Sequence, residues 1–143
     1  MKPEHEQLVT ELLRQAGYKY TKPRQRVAEV LLMEHRHLTA PEVVELVAQR
    51  DSSVGRMSVY RTLELFTRLG LIRPVFQGEA NARYAIMMGG HHHHLVCQNC
   101  GKVIHFDDCP LDTLIQQLEA RYGFHIEGHL LEFFGHCKAC YEL

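Results

Sequence analysis

Two cysteine pairs constrain this chain more than any other feature: Cys97-Gln98-Asn99-Cys100 and Cys137-Lys138-Ala139-Cys140. Pairs of the form C-x₂-C, met twice in a chain expected to stay in a reducing compartment, read as one four-thiolate zinc site. A fold that satisfies them must bring the end of the chain back to residues 97–100. Directly before the first pair runs His91-His92-His93-His94. Thiolate and neutral imidazole are the ligands that Zn²⁺ and its first-row neighbours prefer. Four sulfurs already fill a tetrahedral zinc, so the imidazoles call for a separate account. Affinity tags sit at termini; this run is internal and leads into the apolar Leu95-Val96, which favours metal binding over an artefact.

At 143 residues the chain fits one domain or two small ones. No apolar run approaches the roughly 20 residues that cross a bilayer. The opening Met1-Lys2-Pro3-Glu4-His5-Glu6 does not read as a signal peptide. The expectation is a cytoplasmic protein without a membrane partner, where paired thiols stay reduced and serve metals rather than disulfides. The net charge of −1 hides an asymmetry: most arginines lie within residues 1–84, most histidines and cysteines after them. Near-neutrality does not exclude nucleic acid if the basic residues share a face.

Along residues 4–16, Leu8, Val9, Leu12 and Leu13 recur with helical spacing, and Gly17 stops the helix. Thr21 before Lys22-Pro23 starts a second helix with Val27, Ala28, Val30, Leu31 and Leu32 as its buried stripe. Thr39 and Glu42 fit a capping box that opens a third, with Val43, Val44, Leu46 and Val47 inward. Ser58 to Leu69 reads as a fourth, its core face Val59, Leu63, Phe66 and Leu69 and its stop Gly70. Leu71–Phe76 and Ala82–Ile86 read as two strands around a turn at 77–81. Helices followed by a hairpin make a winged helix-turn-helix, with the fourth helix suited to the major groove. Arg56, Tyr60 and Arg61 at its start are either a solvated face or DNA contacts; arginine suits both phosphate and guanine. Lys19, Lys22, Arg24 and Arg26 either cover flanking phosphates or keep the surface soluble.

Met87-Met88-Gly89-Gly90 breaks the pattern and is expected to be a hinge. His94–Cys97 and Val103–Phe106 read as strands around a Cys-Gln-Asn-Cys-Gly knuckle. Pro110 to Tyr122 reads as a helix capped by Asp108 or Cys109, with Leu111, Leu114, Ile115 and Leu118 as its apolar face and Gly123 as its stop. Phe124 to Phe134 reads as strand-like. Such a thin layer buries little, so zinc and a second subunit are expected to support it. An open strand edge suits pairing with another copy.

Taken together, Thr21-Lys22-Pro23-Arg24, His37-Leu38-Thr39-Ala40, Ser58-Val59-Tyr60-Arg61-Thr62-Leu63, His91 to Ile104, and Gly128-His129 through Phe134-Gly135-His136-Cys137 resemble the Fur (ferric uptake regulator) family of metal-dependent repressors. The resemblance spans nearly the whole chain. It implies an α+β protein: a winged helix-turn-helix DNA-binding domain (1–86), a hinge (87–90) and a small α/β metal-binding dimerisation domain (91–143). It implies structural Zn²⁺ on Cys97, Cys100, Cys137 and Cys140. A regulatory metal, Fe²⁺ or Zn²⁺ with Mn²⁺ or Ni²⁺ as variants, would take His37, His92, His94 and His105. An additional site would use His91, His93, Asp112 and His129. DNA would be met by Lys19, Arg56, Ser58, Tyr60 and Arg61. The partners implied are double-stranded operator DNA and a second copy of the chain, with no small organic substrate.

The chain departs from the family at three places. Iron-type members usually carry glutamate where Ala85 stands, zinc-type members often carry cysteine where Met87 stands, and peroxide sensors carry aspartate where His105 stands. An all-imidazole regulatory set tolerates Zn, Fe, Ni or Cu. A peroxide-sensing member is therefore an alternative within the family. Outside it stand a zinc enzyme, for which no H-E-x-x-H or similar motif appears, and a metal buffer, which leaves the winged helix without a use.

Overall fold

The computed structural model describes residues 3–34, 36–76, 81–87, 91–106 and 108–142, with only the backbone of His91 and His92. It divides into two compact units, Met1–Ile86 and Met87–Leu143. Of the expected hinge only Met87 lies among the described residues, and most of the expected turn at 77–81 lies outside them.

The first unit runs α1 (Pro3–Gln15), α2 (Lys22–Met33), β1 (Leu38–Thr39), α3 (Ala40–Arg50), α4 (Arg56–Arg68), β2 (Ile72–Val75) and β3 (Arg83–Ile86). Apolar stripes at helical spacing converge on one core. Leu13, Val27, Val30, Val43, Val47, Val59, Leu63, Phe66 and Ile72 are all but inaccessible to solvent. The turn after α4 passes through Gly70 at φ +75°, a left-handed conformation that favours glycine. β2 and β3 form an antiparallel hairpin, and β1 adds to the other edge of β3 to give the order β1-β3-β2. Pro74 is tolerated because β2 is an edge strand, where a missing N–H leaves no gap in the ladder. The two-residue β1 carries no periodicity of its own; only its pairing with Arg83 and Tyr84 defines it.

Two helix starts differ in chemistry. Thr39 caps α3 by accepting a hydrogen bond from the Glu42 N–H at 3.4 Å. The Glu42 carboxylate is engaged by Arg36 (2.6 Å) and Arg83 (3.4 Å). Thr21 occupies the N-cap of α2 without a side-chain bond; proline in the first turn and the Gln25 N–H to Thr21 C=O bond (2.9 Å) begin that helix.

The second unit runs β4 (His91–Cys97), β5 (Val103–His105), α5 (Asp112–Tyr122), β6 (His129–Gly135) and α6 (Lys138–Tyr141). Its sheet has the order β5-β4-β6, with β4 antiparallel to β5 and parallel to β6. The whole histidine run thus belongs to the central strand. The sequence reading of α5 needs correction at its start. Neither Asp108 nor Cys109 caps it; the N-cap is Leu111, with no side-chain bond. Pro110 disfavours helical geometry at Cys109 and lacks an N–H, so a turn at Pro110-Leu111 precedes the helix. β6 also starts later than expected, at His129. The Ile126 N–H is tied back to the Glu119 carboxylate at 2.8 Å and is not spent on a ladder.

The apolar face expected of α5 is present in sequence but uncovered in the single chain: no residue of α5 is buried, and Leu114 and Leu118 are exposed. Leu95, Ile104 and Phe133 are exposed as well. The two units therefore differ in kind: one is closed over its own core, the other is a layer that buries Val96, Cys97 and Val103 but leaves most of its large hydrophobic residues outward.

The Thr39 cap should be worth about 1 kcal/mol. Thr39→Ala is expected to lower the unfolding free energy of the first unit by that amount, and so its denaturant midpoint by that amount divided by the unfolding slope, and Thr39→Ser to keep it, measured by circular dichroism with the slope unchanged.

Candidate metal centres and nucleic-acid interface

Cys97, Cys100, Cys137 and Cys140 place their sulfurs within 4.8 Å of one another. Cys97 ends β4, and the chain folds back through a knuckle held by Cys97 N–H to Lys102 C=O and Gly101 N–H to Cys97 C=O, each 2.9 Å. Gly101 permits that return at φ +76°. Cys137 caps α6, whose first turn carries Cys140, with the Cys140 N–H on the Cys137 C=O at 2.8 Å. Parallel pairing brings the two ends together, since Cys97 lies opposite Gly135. The Cys100 and Cys137 sulfurs are 3.7 Å apart, close to the ~3.8 Å edge of a tetrahedron with Zn–S of about 2.3 Å. The donor set and its spacing fit zinc.

The electrostatics agree. Backbone N–H groups of Cys100 and Cys137 aimed at Cys97 hold its thiol down to about 5, which favours the thiolate form that a zinc ligand requires. At Cys140 the Asn99 side chain favours the thiolate, but the Cys137 sulfur, burial and the other two cysteines outweigh it and push the thiol up to about 11. Neighbouring sulfurs cannot all ionise without a cation between them.

Strand alternation sorts the remaining ligand-type residues of the second unit onto two faces of the sheet. On one, His93 and His129 stack with ring centroids 5.0 Å apart and Nε2 atoms 2.8 Å apart, and Cys109 Sγ lies 3.4 Å from His129 Nε2. On the other, fully buried His94 pairs through Nδ1 with Glu132 Oε1 at 3.0 Å. His105, opposite His94 in the ladder, meets its ring edge-on at 4.5 Å. Of the residues that the sequence assigned to a regulatory metal, His94 and His105 are thus brought together. The side chain of His92, like that of His91 in the additional set, lies outside the described residues. His37 belongs to the first unit, where it is buried just before β1, its carbonyl accepting from Arg83 at 3.1 Å. Of the additional set, His93 and His129 meet; Asp112 is exposed at the start of α5 and is not in their cluster.

Two residues with ligand chemistry escaped the sequence reading. Glu132 looks like an ordinary strand carboxylate until its register against His94 is known. Cys109 is the odd thiol left over from two pairs, a signal that marks it without giving it a partner.

In the first unit, α4 turns Val59, Thr62, Leu63, Leu65 and Phe66 inward and leaves Arg56, Arg61 and Arg68 exposed. Arg56 lies over the Tyr60 ring at 5.9 Å. Arg24, Arg61 and Arg68 line an open cleft of about 330 Å³ between the start of α2 and α4, with Ser58 at its wall. Lys22 and Arg26 are occupied differently: both hold Asp51 at 3.2 Å. With Ser53 bonded first to that carboxylate, they keep it well below the usual range. Lys19 is exposed, and its carbonyl accepts from Arg24 at 2.6 Å.

Residues 15–134 match the model of the ferric uptake regulator family. The chain belongs to that family. Among Fur-family relatives, it is 36% identical over 132 residues to the ferric uptake regulation protein of Bacillus subtilis, covering 90% of this chain and 89% of that protein. It is similar to the Helicobacter pylori ferric uptake regulator, whose structure is described as revealing three functional metal binding sites (28% identity, TM-score 0.66, 94% of this chain and 92% of that one). It is also similar to the Vibrio cholerae ferric uptake regulator, described for a structural rearrangement of its DNA-binding domains (31% identity, TM-score 0.67, 90% and 99%). In this Fur-family chain the four-cysteine cluster is, among the described residues, the candidate metal centre with the most ligands.

Replacing Cys97 or Cys137 by serine should remove one zinc per chain and the ordered second unit with it, because metal binding and folding are one free energy at such a site. Metal analysis with circular dichroism reads both. A zinc-free variant whose second unit keeps wild-type stability would contradict this.

Proposed function

We propose that the chain is a metal-dependent transcriptional repressor that binds operator DNA as a metal-loaded homodimer and controls metal-homeostasis genes, acting as a regulator and not as an enzyme. The observation that carries this reading is the division of labour within one chain. A winged helix exposes arginines at its fourth helix, and a separate unit gathers thiols and imidazoles.

In this reading Zn²⁺ sits on Cys97, Cys100, Cys137 and Cys140 and holds the second unit together. A second copy covers the apolar residues left outward there, among them Leu95, Ile104, Phe133 and Leu114. Arg56, Ser58, Tyr60 and Arg61 meet the operator, with Lys19 on a flanking phosphate or minor groove. The regulatory metal, Fe²⁺ or Zn²⁺, is held by His37, His92, His94 and His105. We add Glu132 to that set: its carboxylate lies on His94 and supplies the oxygen that the family glutamate would have given at Ala85. A mixed imidazole–carboxylate set suits Fe²⁺ and Mn²⁺ better than imidazole alone. His105 stands where a peroxide sensor would need aspartate, so the metal-sensing reading is preferred to the peroxide-sensing one. The location that follows is the cytoplasm.

A metal that takes ligands from both units favours whichever arrangement of them satisfies it, and by linkage favours DNA binding if that arrangement does. His37→Ala should leave folding and the four-cysteine zinc intact and abolish the rise in DNA affinity on adding Fe²⁺ or Mn²⁺, as followed by fluorescence anisotropy. A wild-type metal response in that variant would move the sensor elsewhere. Arg61→Ala should cost ~1–3 kcal/mol of operator affinity and relax sequence preference, whereas Lys19→Ala should weaken all sequences evenly and flatten the salt dependence. Unchanged operator affinity in Arg61→Ala would place the reading helix elsewhere.

A further inference from the structure

We propose that Cys109 is a ligand of the metal held by His93 and His129, which makes this a mixed thiolate–imidazole centre selective for Zn²⁺ over Fe²⁺ and Mn²⁺. The inference rests on the reading that His93 and His129 hold a metal, and deepens it by naming the third ligand and the class of ion.

Cys109 stands outside both C-x₂-C pairs, so the four-cysteine site has no use for it. The structure gives it another neighbour. Its Sγ lies 3.4 Å from His129 Nε2, which itself lies 2.8 Å from His93 Nε2, and all three ligand atoms fall within 4.8 Å of one another. The sulfur-to-nitrogen separation is already near the ~3.5 Å that two such ligands have on one tetrahedral Zn²⁺. The two nitrogens are at hydrogen-bond distance and need only part by about half an ångström to reach ~3.3 Å. His93 is buried and its ring is flanked by Phe106 at 5.1 Å as well as by His129, so that small movement falls to the half-buried His129. The turn at Pro110 fixes the approach of Cys109: it keeps that residue out of α5 and leaves it beside the sheet.

The ligand type then decides the ion. Thiolate with imidazole selects zinc-like ions, whereas Fe²⁺ and Mn²⁺ gain more from carboxylate oxygens. The two faces of one sheet thereby offer different chemistry: sulfur and nitrogen at His93, Cys109 and His129, nitrogen and oxygen at His94 and Glu132.

The test is a Co²⁺ titration of the full chain with its four-cysteine site already filled by spectroscopically silent Zn²⁺. The expected result is a thiolate-to-cobalt charge-transfer band in the near ultraviolet that grows with added Co²⁺ and is absent in Cys109→Ser. On the wild-type chain, Zn²⁺ added beyond the structural equivalent should slow alkylation of Cys109, located by mass spectrometry, at least about tenfold, and equal Mn²⁺ should not. A band that survives in Cys109→Ser, or a Cys109 alkylation rate indifferent to Zn²⁺, overturns the proposal. Cobalt uptake that depends on His129 but shows no charge-transfer band also overturns it, while leaving a nitrogen-and-oxygen metal site at His93 and His129 standing. Cobalt uptake unchanged in His129→Ala overturns both.

Discussion

The second unit depends on the parallel register of β4 against β6. That pairing sets Cys97 opposite Gly135 and so delivers Cys137 and Cys140 to the knuckle. The same register sets His94 opposite Glu132. A slip of one residue would send every side chain of β4 to the other face, separating His94 from Glu132 and His93 from His129 at once. Register in a thin sheet is weakly specified by burial alone, because its hydrophobic residues are largely outward. Four sulfurs meeting on one Zn²⁺ would supply the specification that the core does not.

This explains why the two units are built so differently. The first closes a core from four helices and a short sheet, and its polar contacts, such as Asp51 with Ser53, Lys22 and Arg26, tie turns to helices. In the second, no residue of α5 is buried, and α6 is a single turn that carries Cys140 and is capped by Cys137. A unit of that kind draws its stability from ligands and partners. It is therefore well placed to respond to them, since an element whose order depends on a metal changes with the metal's supply.

What the sequence made legible follows from the range of each signal. The helices of the first unit announce themselves through local periodicity, the Thr39–Glu42 motif and the glycine after α4, and the C-x₂-C pairs declare four sulfurs by spacing. Each signal lies within a few residues of the structure that it specifies. The misses at β1, Glu132 and Cys109 are non-local. The strand β1 exists only through β3, 44 residues on. Glu132 acquires meaning only from the parallel pairing of β4 with β6, and Cys109 only from its approach to His129, 20 residues on; no local periodicity encodes either. The start of α5 was misread for a local reason: Asp108 and Cys109 resembled caps, but Pro110 restricts the residue before it.

The central claim is that metal beyond the structural zinc controls affinity for DNA. The most direct measurement is operator affinity of the full chain with its four-cysteine site filled, titrated with Fe²⁺ or Mn²⁺ under anaerobic conditions. The account predicts a rise of tenfold or more, which asks for only ~1.4 kcal/mol of coupling. An affinity that stays flat through saturation of the added metal would contradict it.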